Sequence, residues 1–490
     1  MKSKGFFSVI ALLLFSSLAI SVSAAEEAKK PNFVVILCDD LGIGDVQCFN
    51  PKLGKIKTPA IDKLAKKGMS FTDAHSGSSV CTPTRYGLLT GRYAWRTSLQ
   101  QGVSSGFGPC LIKEDRVTLG KFLQADGYHT ALIGKWHLNM KFVKDGKELE
   151  GKPLKFTAPV GSTSPDGPNA RGFDYFYGIH HARSMKAIIE QDTVTKHDPP
   201  INFLPSLETT AVAYLKERAK SEKPFFLYLP LGSPHTPILP TKKWQGASGL
   251  GAYADFVMQT DDVIGNVLQC LEDEKLADNT LVIFTSDNGC SRQAKIGKLK
   301  KEGHHVSAGY RGSKSDIWEG GHRIPFVASW PGVIKPDTKC DQLICLTDLY
   351  ATVAEVLGKS SPDGTCQDSV SFRPAFSGKE IPKAREGVVH HSISGHFAYR
   401  TKDWKLVLAR GSGGWSAPNE KKVSSSAPEA QLYDMNKDAN EENNEYESKP
   451  EVAEDLLKRL QNDVANGRST KGAKSTNDLE KIELWKSKRK

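Results

Sequence analysis

Hydrophobic residues along the chain form short continuous runs, and each run is followed by polar residues. The runs lie at residues 32–37, 130–134, 224–229 and 280–285. An apolar run without alternation predicts a strand that is buried on both faces, as in a parallel sheet. Between the runs, helices are predicted at residues 58–67, 116–126 and 253–272. Strands that alternate with helices predict a doubly wound α/β sheet.

The polar residues that follow these runs are candidates for a functional site. In doubly wound sheets, ligands bind beyond the carboxyl ends of the strands. We therefore expect one shared site at that edge of the sheet. The side chains predicted to gather there are Asp39, Asp40, Lys135, His137, His235, Asp287 and Asn288.

The acidic residues of this set indicate a metal site. Adjacent carboxylates such as Asp39 and Asp40 repel each other unless a cation lies between them. For an isolated Asp-Asp pair, a helix N-cap or a solvated turn is the simpler interpretation. Asp287 and Asn288, at a second strand end, add further oxygen ligands at the same edge. Hard oxygen ligands without a thiolate or imidazole favour Ca²⁺ or Mg²⁺ over zinc.

The pattern changes after about residue 375. Short antiparallel strands are predicted at residues 395–408 and 431–433, and a helix at 450–464. Residues 411–428 are rich in Gly, Ser and Pro, which predicts an exposed loop. We divide the chain into an α/β domain that holds the site, an α+β subdomain and a loosely held lysine-rich tail. These parts comprise residues 25–375, 376–466 and 467–490.

The N-terminus has the three parts of a secretory signal peptide. Lys2 and Lys4 precede an apolar run at residues 6–20, and small residues follow at 21–25. We interpret residues 1–24 as a signal peptide and expect an exported protein, periplasmic or secreted. A membrane anchor is the alternative, but the run is shorter than the roughly 20 apolar residues that a span needs. No membrane span is predicted further along the chain.

The charge limits the kinds of ligand that the protein is expected to bind, and the cysteine count bears on disulfide pairing. Lys and Arg number 66 and Asp and Glu 56, so the formal net charge is +10, or +8 without Lys2 and Lys4. This mild excess suits an anionic substrate or glycan, but it lacks the concentrated basic face of a nucleic-acid-binding protein. Most cysteines of an exported protein are expected to pair, and nine cysteines leave at least one unpaired.

The most specific motif surrounds Cys81. Residues 79–92 read Ser-Val-Cys-Thr-Pro-Thr-Arg-Tyr-Gly-Leu-Leu-Thr-Gly-Arg, which combines Cys-x-Pro-x-Arg with Leu-Thr-Gly-Arg. The segment resembles the maturation and catalytic signature of the type I sulfatases. In that family a formylglycine-generating enzyme oxidises the cysteine to formylglycine. The alternative is a buried or disulfide-bonded cysteine in a proline turn.

The resemblance continues from about residue 30 to about residue 445, with the motifs in the family's order. Matching segments surround the acidic pairs and Lys135, His137, His235 and Lys314; they are residues 32–42, 127–138, 233–237, 285–289, 311–325 and 432–435. Residues 142–170 and the basic tail do not match. The resemblance implies the alkaline-phosphatase-like fold, a large mostly parallel sheet between helices with a smaller C-terminal antiparallel sheet and helix. It also implies sulfatase activity.

The resemblance further implies a mechanism. Formylglycine at position 81 would hydrate to a diol that binds Ca²⁺ or Mg²⁺, gives a proton to Asp287 and attacks sulfur. Lys135 and Lys314 would hold the sulfate oxygens together with the metal. His235, alone or together with Lys314, would protonate the leaving oxygen. His137 would deprotonate the second diol hydroxyl. Arg85 would orient the diol.

Other polar residues match no motif. Clusters of His and Arg suit sulfated sugars, although surface or structural roles explain them equally well. The substrate-binding candidates are His181, Arg183, His304 and His396, and the same question applies to His180, His305 and Arg400.

Two other functions are consistent with the sequence. One is a phosphate mono- or diester hydrolase of the same superfamily. The other is a non-catalytic glycan-binding protein derived from a sulfatase, against which the intact set of motifs argues. The expected substrate is an aryl sulfate or, as the favoured alternative, a carbohydrate sulfate ester, carried by a sulfated small molecule or glycan. Its identity and the position of the sulfate are left open.

Overall fold

The computed structural model describes residue 1 and residues 29–150 and 157–486. Residues 2–24 of the predicted signal peptide lie outside the described residues, so that interpretation stays a prediction. Among the described residues, no helix combines the length and apolar character that crossing a bilayer requires.

The strands and helices alternate along the first two thirds of the chain. The strands are β1 (Asn32–Asp39), β2 (Met69–Phe71), β3 (Ala74–His75), β4 (His129–Lys135), β5 (Val143–Lys144), β6 (Lys147–Glu148), β7 (Tyr175–Ile179), β8 (Ala187–Glu190), β9 (Thr193–His197), β10 (Phe225–Pro234), β11 (Thr280–Ser286), β12 (Phe326–Ser329), β13 (Thr338–Cys340), β14 (Ile344–Cys345), β15 (Val388–His391), β16 (Phe397–Arg400), β17 (Trp404–Val407) and β18 (Gln431–Asp434). The α-helices are α1 (Pro59–Lys67), α2 (Cys81–Thr90), α3 (Leu119–Ala125), α4 (Phe203–Arg218), α5 (Ala252–Asp273), α6 (Ile296–Lys301), α7 (Glu319–His322), α8 (Leu349–Val356) and α9 (Pro450–Ala465).

A ten-stranded sheet forms the centre of the molecule, in the order β13-β2-β12-β11-β1-β10-β4-β7-β8-β9. Its five middle strands, from β11 to β7, are parallel. Antiparallel strands flank them on both sides, namely β12 on one side and β8 and β9 on the other. The predicted fold class, a mostly parallel sheet between helices, is confirmed.

The middle strands read as continuous apolar runs because both faces of the sheet are covered. Alternate side chains of β1 face opposite sides. Phe33 and Val35 pack with side chains of α2, α3 and α8. Val34 and Ile36 pack in a second cluster with side chains of α1, α4 and α5. From Phe33 to Cys38 neither face of this strand therefore has a strongly polar side chain, and the acidic residues begin at its carboxyl end.

A four-stranded antiparallel sheet, β15-β16-β17-β18, forms the C-terminal part with α9. Leu456 and Leu460 of α9 are buried in one cluster with Tyr399 and Leu406 of the sheet. The predicted strands and helix of this region are confirmed. The predicted exposed loop at 411–428 is only partly correct. Its first residues, Gly411 to Gly413, are buried because they lie against the segment after Lys314, where Ile317 N donates to Ser412 O.

The prediction of a loosely held tail is wrong for its first part. Arg92 Nη2 donates to Asp478 Oδ1 at 3.0 Å, and Arg96 Nη1 donates to Asn477 Oδ1 at 2.9 Å. Both arginine side chains are buried near the end of α2, and buried guanidinium groups require acceptors. The tail supplies one or more acceptors to each of the two guanidinium groups and is thereby held against the residues that follow α2.

The expectation of disulfides is also wrong. All nine cysteines are unpaired thiols. Most of them are buried among apolar side chains, as Cys38 and Cys290 are in one cluster and Cys340 and Cys366 in another. A buried thiol packs like a small apolar side chain, so these positions contribute to the core without a covalent bond.

Candidate active site

Neighbouring strand ends bring the predicted polar residues together. In the register of the sheet, Asp39 lies opposite Pro234 of β10, and Cys38 lies opposite Ser286 of β11. The residues that follow β10 and β11 are therefore adjacent to the acidic pair after β1. Lys135 ends β4, on the other side of β10. The edge predicted from the sequence is the edge at which these side chains meet.

The backbone turns sharply at two of these strand ends. Asp40 has φ 65° and His137 has φ 57°, both in the left-handed region. Such a conformation costs of order 1–3 kcal/mol for a residue other than glycine and clusters at functional sites. At Asp40 the turn allows two consecutive carboxylates to reach the same edge. Each finds a cationic partner there.

Cys81 occupies the first turn of α2 and is 2% exposed. The residue before it, Val80, makes no side-chain cap, so the first backbone N–H groups of this helix have no side-chain acceptor at that position. Ligand atoms of Cys81, Asp39 and Asp287 all lie within 4.8 Å of one another. The helix thus places the cysteine sulfur beside two carboxylates at the end of the sheet.

Three buried cations compensate the carboxylates. Lys135 Nζ donates to Asp39 Oδ2, and Lys314 Nζ donates to Asp40 Oδ1 at 2.5 Å. Each of these lysines is buried together with its carboxylate partner. A buried charge without a partner is strongly destabilising, so each lysine and each carboxylate requires the opposite charge beside it.

Arg85 holds the third carboxylate. Its Nη2 and Nε donate to Asp287 Oδ2 at 2.8 Å and 3.1 Å, and its Nη1 donates to Lys135 O at 2.9 Å. Burial and the charge of Asp39 raise the pKa of Asp287 to about 7, against the opposing effect of Arg85. Burial also tends to raise the pKa of Asp39. However, Lys135 and other nearby cations outweigh burial and hold the pKa of that carboxyl well below its usual value.

The oxygen atoms at this edge fit a hard divalent cation. Asp39 Oδ1 and Asn288 Oδ1 are buried and accept no hydrogen bond. Asn288 Nδ2 donates to Asp40 Oδ1 at 2.9 Å, and Asp40 N donates to Asp287 Oδ1 at 3.2 Å. The four predicted ligands therefore form one connected group with free acceptor atoms. Buried acceptors without donors are costly, and a cation would satisfy them.

The two histidines at the edge are held in different ways. His137 Nε2 lies 3.0 Å from Ser104 O, so this nitrogen carries the proton, and the buried Nδ1 has no hydrogen-bond partner. Burial, then Lys135, lowers the pKa of His137 well below its usual value. His235 Nδ1 contacts Thr236 O at 2.5 Å, and its Nε2 lies 3.6 Å from Asp40 Oδ2. Burial also lowers the pKa of His235.

Ser104 was not predicted from the sequence. Its hydroxyl donates to His137 O at 3.0 Å, and its backbone N–H donates to Thr82 Oγ1 at 3.1 Å. It therefore connects the histidine to the residue after Cys81. The segment around it has no periodicity or motif, so only the three-dimensional contacts reveal this position.

Of the substrate-binding candidates, His181 lies at this site. Its ring meets His137 edge-on, with centroids 4.5 Å apart, and its Nδ1 accepts from Arg183 N at 2.9 Å. The proton of the ring is thereby placed on Nε2. The side chain of Arg183, two residues on, is exposed.

The remaining candidates have internal partners. His304 contacts Asp45 Oδ1 at 2.8 Å, and His396 contacts Leu408 O at 3.1 Å. Arg400 pairs with Asp73, while His180 is buried against Phe142 and His305 is half-buried. None of these contacts joins the group around Cys81, and they support structural roles for His304, His396 and Arg400.

A second buried histidine cluster consists of His75, His322 and His390. Their ligand atoms lie close enough together for a metal. However, the rings of His322 and His390 stack at 3.7 Å with an interplanar angle of 9°. Imidazole lone pairs lie in the ring plane, so two stacked rings cannot direct them at one ion. His75 contacts Asp73 and His322 contacts Lys405, so the cluster belongs to an internal hydrogen-bond network.

Comparisons with known proteins agree with this geometry. Residues 31–359 match the sulfatase family, and residues 313–469 match the C-terminal region of N-sulphoglucosamine sulphohydrolase. The chain is 30% identical to an N-acetylgalactosamine-6-O-sulfatase of Bacteroides thetaiotaomicron, over 92% of this chain and 96% of that protein. It is 29% identical to human steryl-sulfatase, over 78% of this chain and 76% of that protein.

Solved structures show the same fold. A Bacteroides thetaiotaomicron sulfatase, solved in work on the metabolism of multiple glycosaminoglycans, has a TM-score of 0.77 at 27% identity and covers 89% of this chain and 99% of its own. Ps i-CgsB in complex with k-i-k-neocarrahexaose has a TM-score of 0.71 at 24% identity, over 91% of this chain and 95% of its own.

The fold and the site at the sheet edge define a hydrolase of the alkaline-phosphatase-like superfamily. Within it, the chain belongs to the type I sulfatase family and is a sulfuric ester hydrolase. The predicted family and enzyme class are confirmed.

We expect Arg85→Lys to lower sulfatase activity by about 100-fold or more, because lysine cannot reach both Asp287 and the Lys135 carbonyl. The free energy of unfolding should fall by about 2–3 kcal/mol, since Asp287 loses a buried partner. Steady-state kinetics and denaturant unfolding measure the two effects. Arg96→Lys is the control, since Arg96 is equally buried, holds the buried carboxylate of Asp368 with two donors and lies outside the signature at residues 79–92. An equal loss of activity in the control would contradict a specific role for Arg85.

Proposed function

We propose that this sulfatase is formylglycine-dependent and hydrolyses carbohydrate sulfate esters. The observation that carries the proposal is the position of Cys81, at the start of α2, among Asp39, Asp287 and the paired lysines Lys135 and Lys314. The bacterial relative that matches almost the full chain is named for an amino-sugar sulfate. The steryl-sulfatases match a smaller share of the chain, which favours a sugar over a sterol.

The buried cations supply what a sulfate ester requires. The ester carries a delocalised negative charge, and more charge develops on the leaving oxygen as the S–O bond breaks. Lys135 and Lys314 are the residues proposed to bind the sulfate oxygens. Arg85 would act by holding Asp287 and the end of β4 in place, as its three hydrogen bonds indicate.

A divalent cation is proposed at Asp39, Asp40, Asp287 and Asn288, together with an oxygen of residue 81. Bound there, Ca²⁺ or Mg²⁺ would stabilise negative charge on the sulfonyl oxygens and lower the pKa of a hydroxyl on residue 81. Asp287 is the proposed acceptor for the proton, because its carboxylate lies beside residue 81.

The two histidines are proposed to move protons at different atoms. His235 Nδ1 donates to Thr236 O, so a second proton on Nε2 would make the ring an imidazolium, which the adjacent carboxylate of Asp40 stabilises. This proton would go to the leaving oxygen. His137 holds its own proton on Nε2, so its unpartnered Nδ1 would accept a proton from residue 81 during sulfate release. His181 Nε2, with its ring beside His137, is a neutral donor suited to the substrate.

Maturation would require a formylglycine-generating enzyme. Cys81 is 2% exposed in the folded chain, so we propose that the modification precedes folding of the α/β domain. Export of the chain is proposed on the N-terminal sequence pattern alone.

Mass analysis of the peptide that contains residue 81 tests the proposal directly. We expect the mass of the aldehyde at Cys81 and unmodified, alkylatable thiols at the other eight cysteines, which serve as internal controls. Cys81→Ser should lose sulfatase activity while remaining folded. Full activity with an alkylatable Cys81, or turnover of aryl phosphate faster than aryl sulfate, would contradict the proposal.

Removal of the divalent cation should abolish sulfatase activity and lower the thermal unfolding midpoint, because an ion that binds the folded chain stabilises it. Calcium added to the chelated enzyme should restore both. Asp40→Asn should weaken calcium binding, whereas Asp73→Asn, in the second polar network, should leave it intact in the folded fraction. Activity restored by zinc alone would overturn the oxygen-ligand assignment.

The roles of the two histidines differ in their leaving-group dependence. His235→Ala should be most damaging for poor leaving groups such as a sugar hydroxyl, and it should recover part of the rate on nitrophenyl sulfate. His137→Ala should show a defect that depends little on the leaving group, because its step follows departure of that group. Rates on aryl sulfates of graded leaving-group pKa measure this. Equal slopes for the two variants would refute the division of roles.

A further inference from the structure

A strongly basic segment begins immediately beyond the Asp287-Asn288 pair. Between residues 289 and 303 the chain carries one acidic residue, Glu302, and the five cations Arg292, Lys295, Lys298, Lys300 and Lys301. We call residues 292–301 the basic strip. All five cationic side chains are exposed. Among the described residues, only Lys298 of these lysines forms an ion pair, with Glu302 at 3.6 Å.

The basic strip is joined to the sulfate-binding edge through the backbone. Cys290, two residues before Arg292, accepts a hydrogen bond at its carbonyl from Lys314 N at 2.9 Å. Ser315 N in turn donates to Ser79 O at 2.8 Å. Arg292 therefore lies five residues after Asp287 and two residues after Cys290, whose carbonyl is bonded to Lys314 N. The strip continues along the short helix α6, which is about 9 Å long.

Trp415 contacts both Arg292 of the basic strip and Ser315, the residue after Lys314. The guanidinium of Arg292 lies 4.6 Å from the centroid of its ring. Trp415 N donates to Ser315 Oγ at 3.0 Å and to Asp316 Oδ1 at 2.9 Å, which fixes the loop beside Lys314. The indole is half-buried. An aromatic ring next to arginine offers an apolar face to a sugar ring and a planar donor to a carboxylate or sulfate.

Like charges on a six-residue helix repel one another, and no internal acid except Glu302 offsets them. A bound anionic ligand would reduce this repulsion and stabilise the strip. Its connection to the site where sulfate esters are cleaved makes an anionic substrate chain the best-matched partner. A nucleic acid or an anionic lipid surface would offer charge, but neither carries the sulfate ester that this site binds.

We propose that the basic strip and Trp415 form a docking surface for a polyanionic glycan. Trp415 and Arg292 contact the sugar next to the cleaved sulfate ester, and the lysines of the strip contact further sulfate or carboxylate groups of the same chain. The inference rests on the proposed function and narrows the substrate to an oligosaccharide or polysaccharide with several anionic groups. A chain that occupies the strip is held longer at the site, and its binding is sensitive to salt.

The test compares two variants that lose the same charge. In the strip variant, Lys295, Lys298, Lys300 and Lys301 are changed to Gln, which keeps helix propensity. In the control variant, Lys63, Lys66, Lys220 and Lys223 are changed to Gln. These four exposed lysines lie before β2 and β10, at the opposite edge of the sheet. The substrates are a highly sulfated glycosaminoglycan oligosaccharide, a monosaccharide sulfate and nitrophenyl sulfate.

The strip variant should raise KM for the oligosaccharide by about tenfold or more, with little change in kcat, and should reduce the salt dependence of kcat/KM. The kcat and KM of this variant on the monosaccharide sulfate and on nitrophenyl sulfate should match those of the enzyme without substitutions. Trp415→Ala should raise KM for both saccharides but not for nitrophenyl sulfate. Trp404→Ala, which removes a tryptophan next to Lys449, is its control and should change neither KM in the folded fraction.

Several outcomes would overturn the docking surface while leaving the proposed function intact. These are an equal rise of KM in the control variant, an unchanged KM in the strip variant, and an oligosaccharide KM no lower than that of the monosaccharide. Tight binding of a DNA duplex that does not compete with the oligosaccharide would also overturn the assignment to a glycan. Absence of turnover on all three substrates would instead refute the proposed function. Binding of the oligosaccharide to the strip variant, measured by calorimetry, would then still decide the docking surface.

Discussion

The structure depends on the compensation of three buried carboxylates by three buried cations at one edge of the sheet. Asp39, Asp40 and Asp287 lie so close together that their mutual repulsion in a poorly solvated site would be large. Their partners come from three different parts of the chain, since Arg85 lies on α2, Lys135 ends β4 and Lys314 follows α6. Removing one partner leaves an uncompensated charge, so the site forms only when all of these segments are in place.

A second buried network extends this constraint to the C-terminal sheet. Glu319 of α7 is paired with Arg323 and with Lys405 of β17, and Asp73 is paired with Arg323 and with Arg400 of β16. These contacts fix the four-stranded sheet against the segment that carries Lys314. The loop after β17 thereby brings Trp415 to Ser315. The C-terminal sheet and the loop after β17 are therefore held against the segment that carries Lys314, so a change in their position would move Trp415 relative to that segment.

The sequence predicted the middle of the sheet and the meeting of its polar strand ends well, and it did so for physical reasons. Strands such as β1 and β11 are buried on both faces, so their composition alone identifies them, and their polar ends had to meet at one edge. The short flanking strands β2 and β13 could not be predicted, because three residues at the side of a sheet carry no periodicity. The attachment of the tail depends on hydrogen bonds from the buried guanidinium groups of Arg92 and Arg96. The role of Ser104 depends on its contact with His137. Such contacts arise between residues far apart in the chain and have no local signal.

Charge balance supports the proposal that a sulfate ester and a cation share one site. The three carboxylates and the three cations neutralise one another, so a divalent ion alone would leave an excess of two positive charges. A bound sulfate ester would remove one of these, so an edge that holds the ion favours an anionic substrate over a neutral one. Lys135 and Lys314 are already desolvated beside their carboxylate partners. In their proposed role they would therefore not have to lose water when the ester binds, and this preorganisation would lower the cost of stabilising charge on the sulfate oxygens.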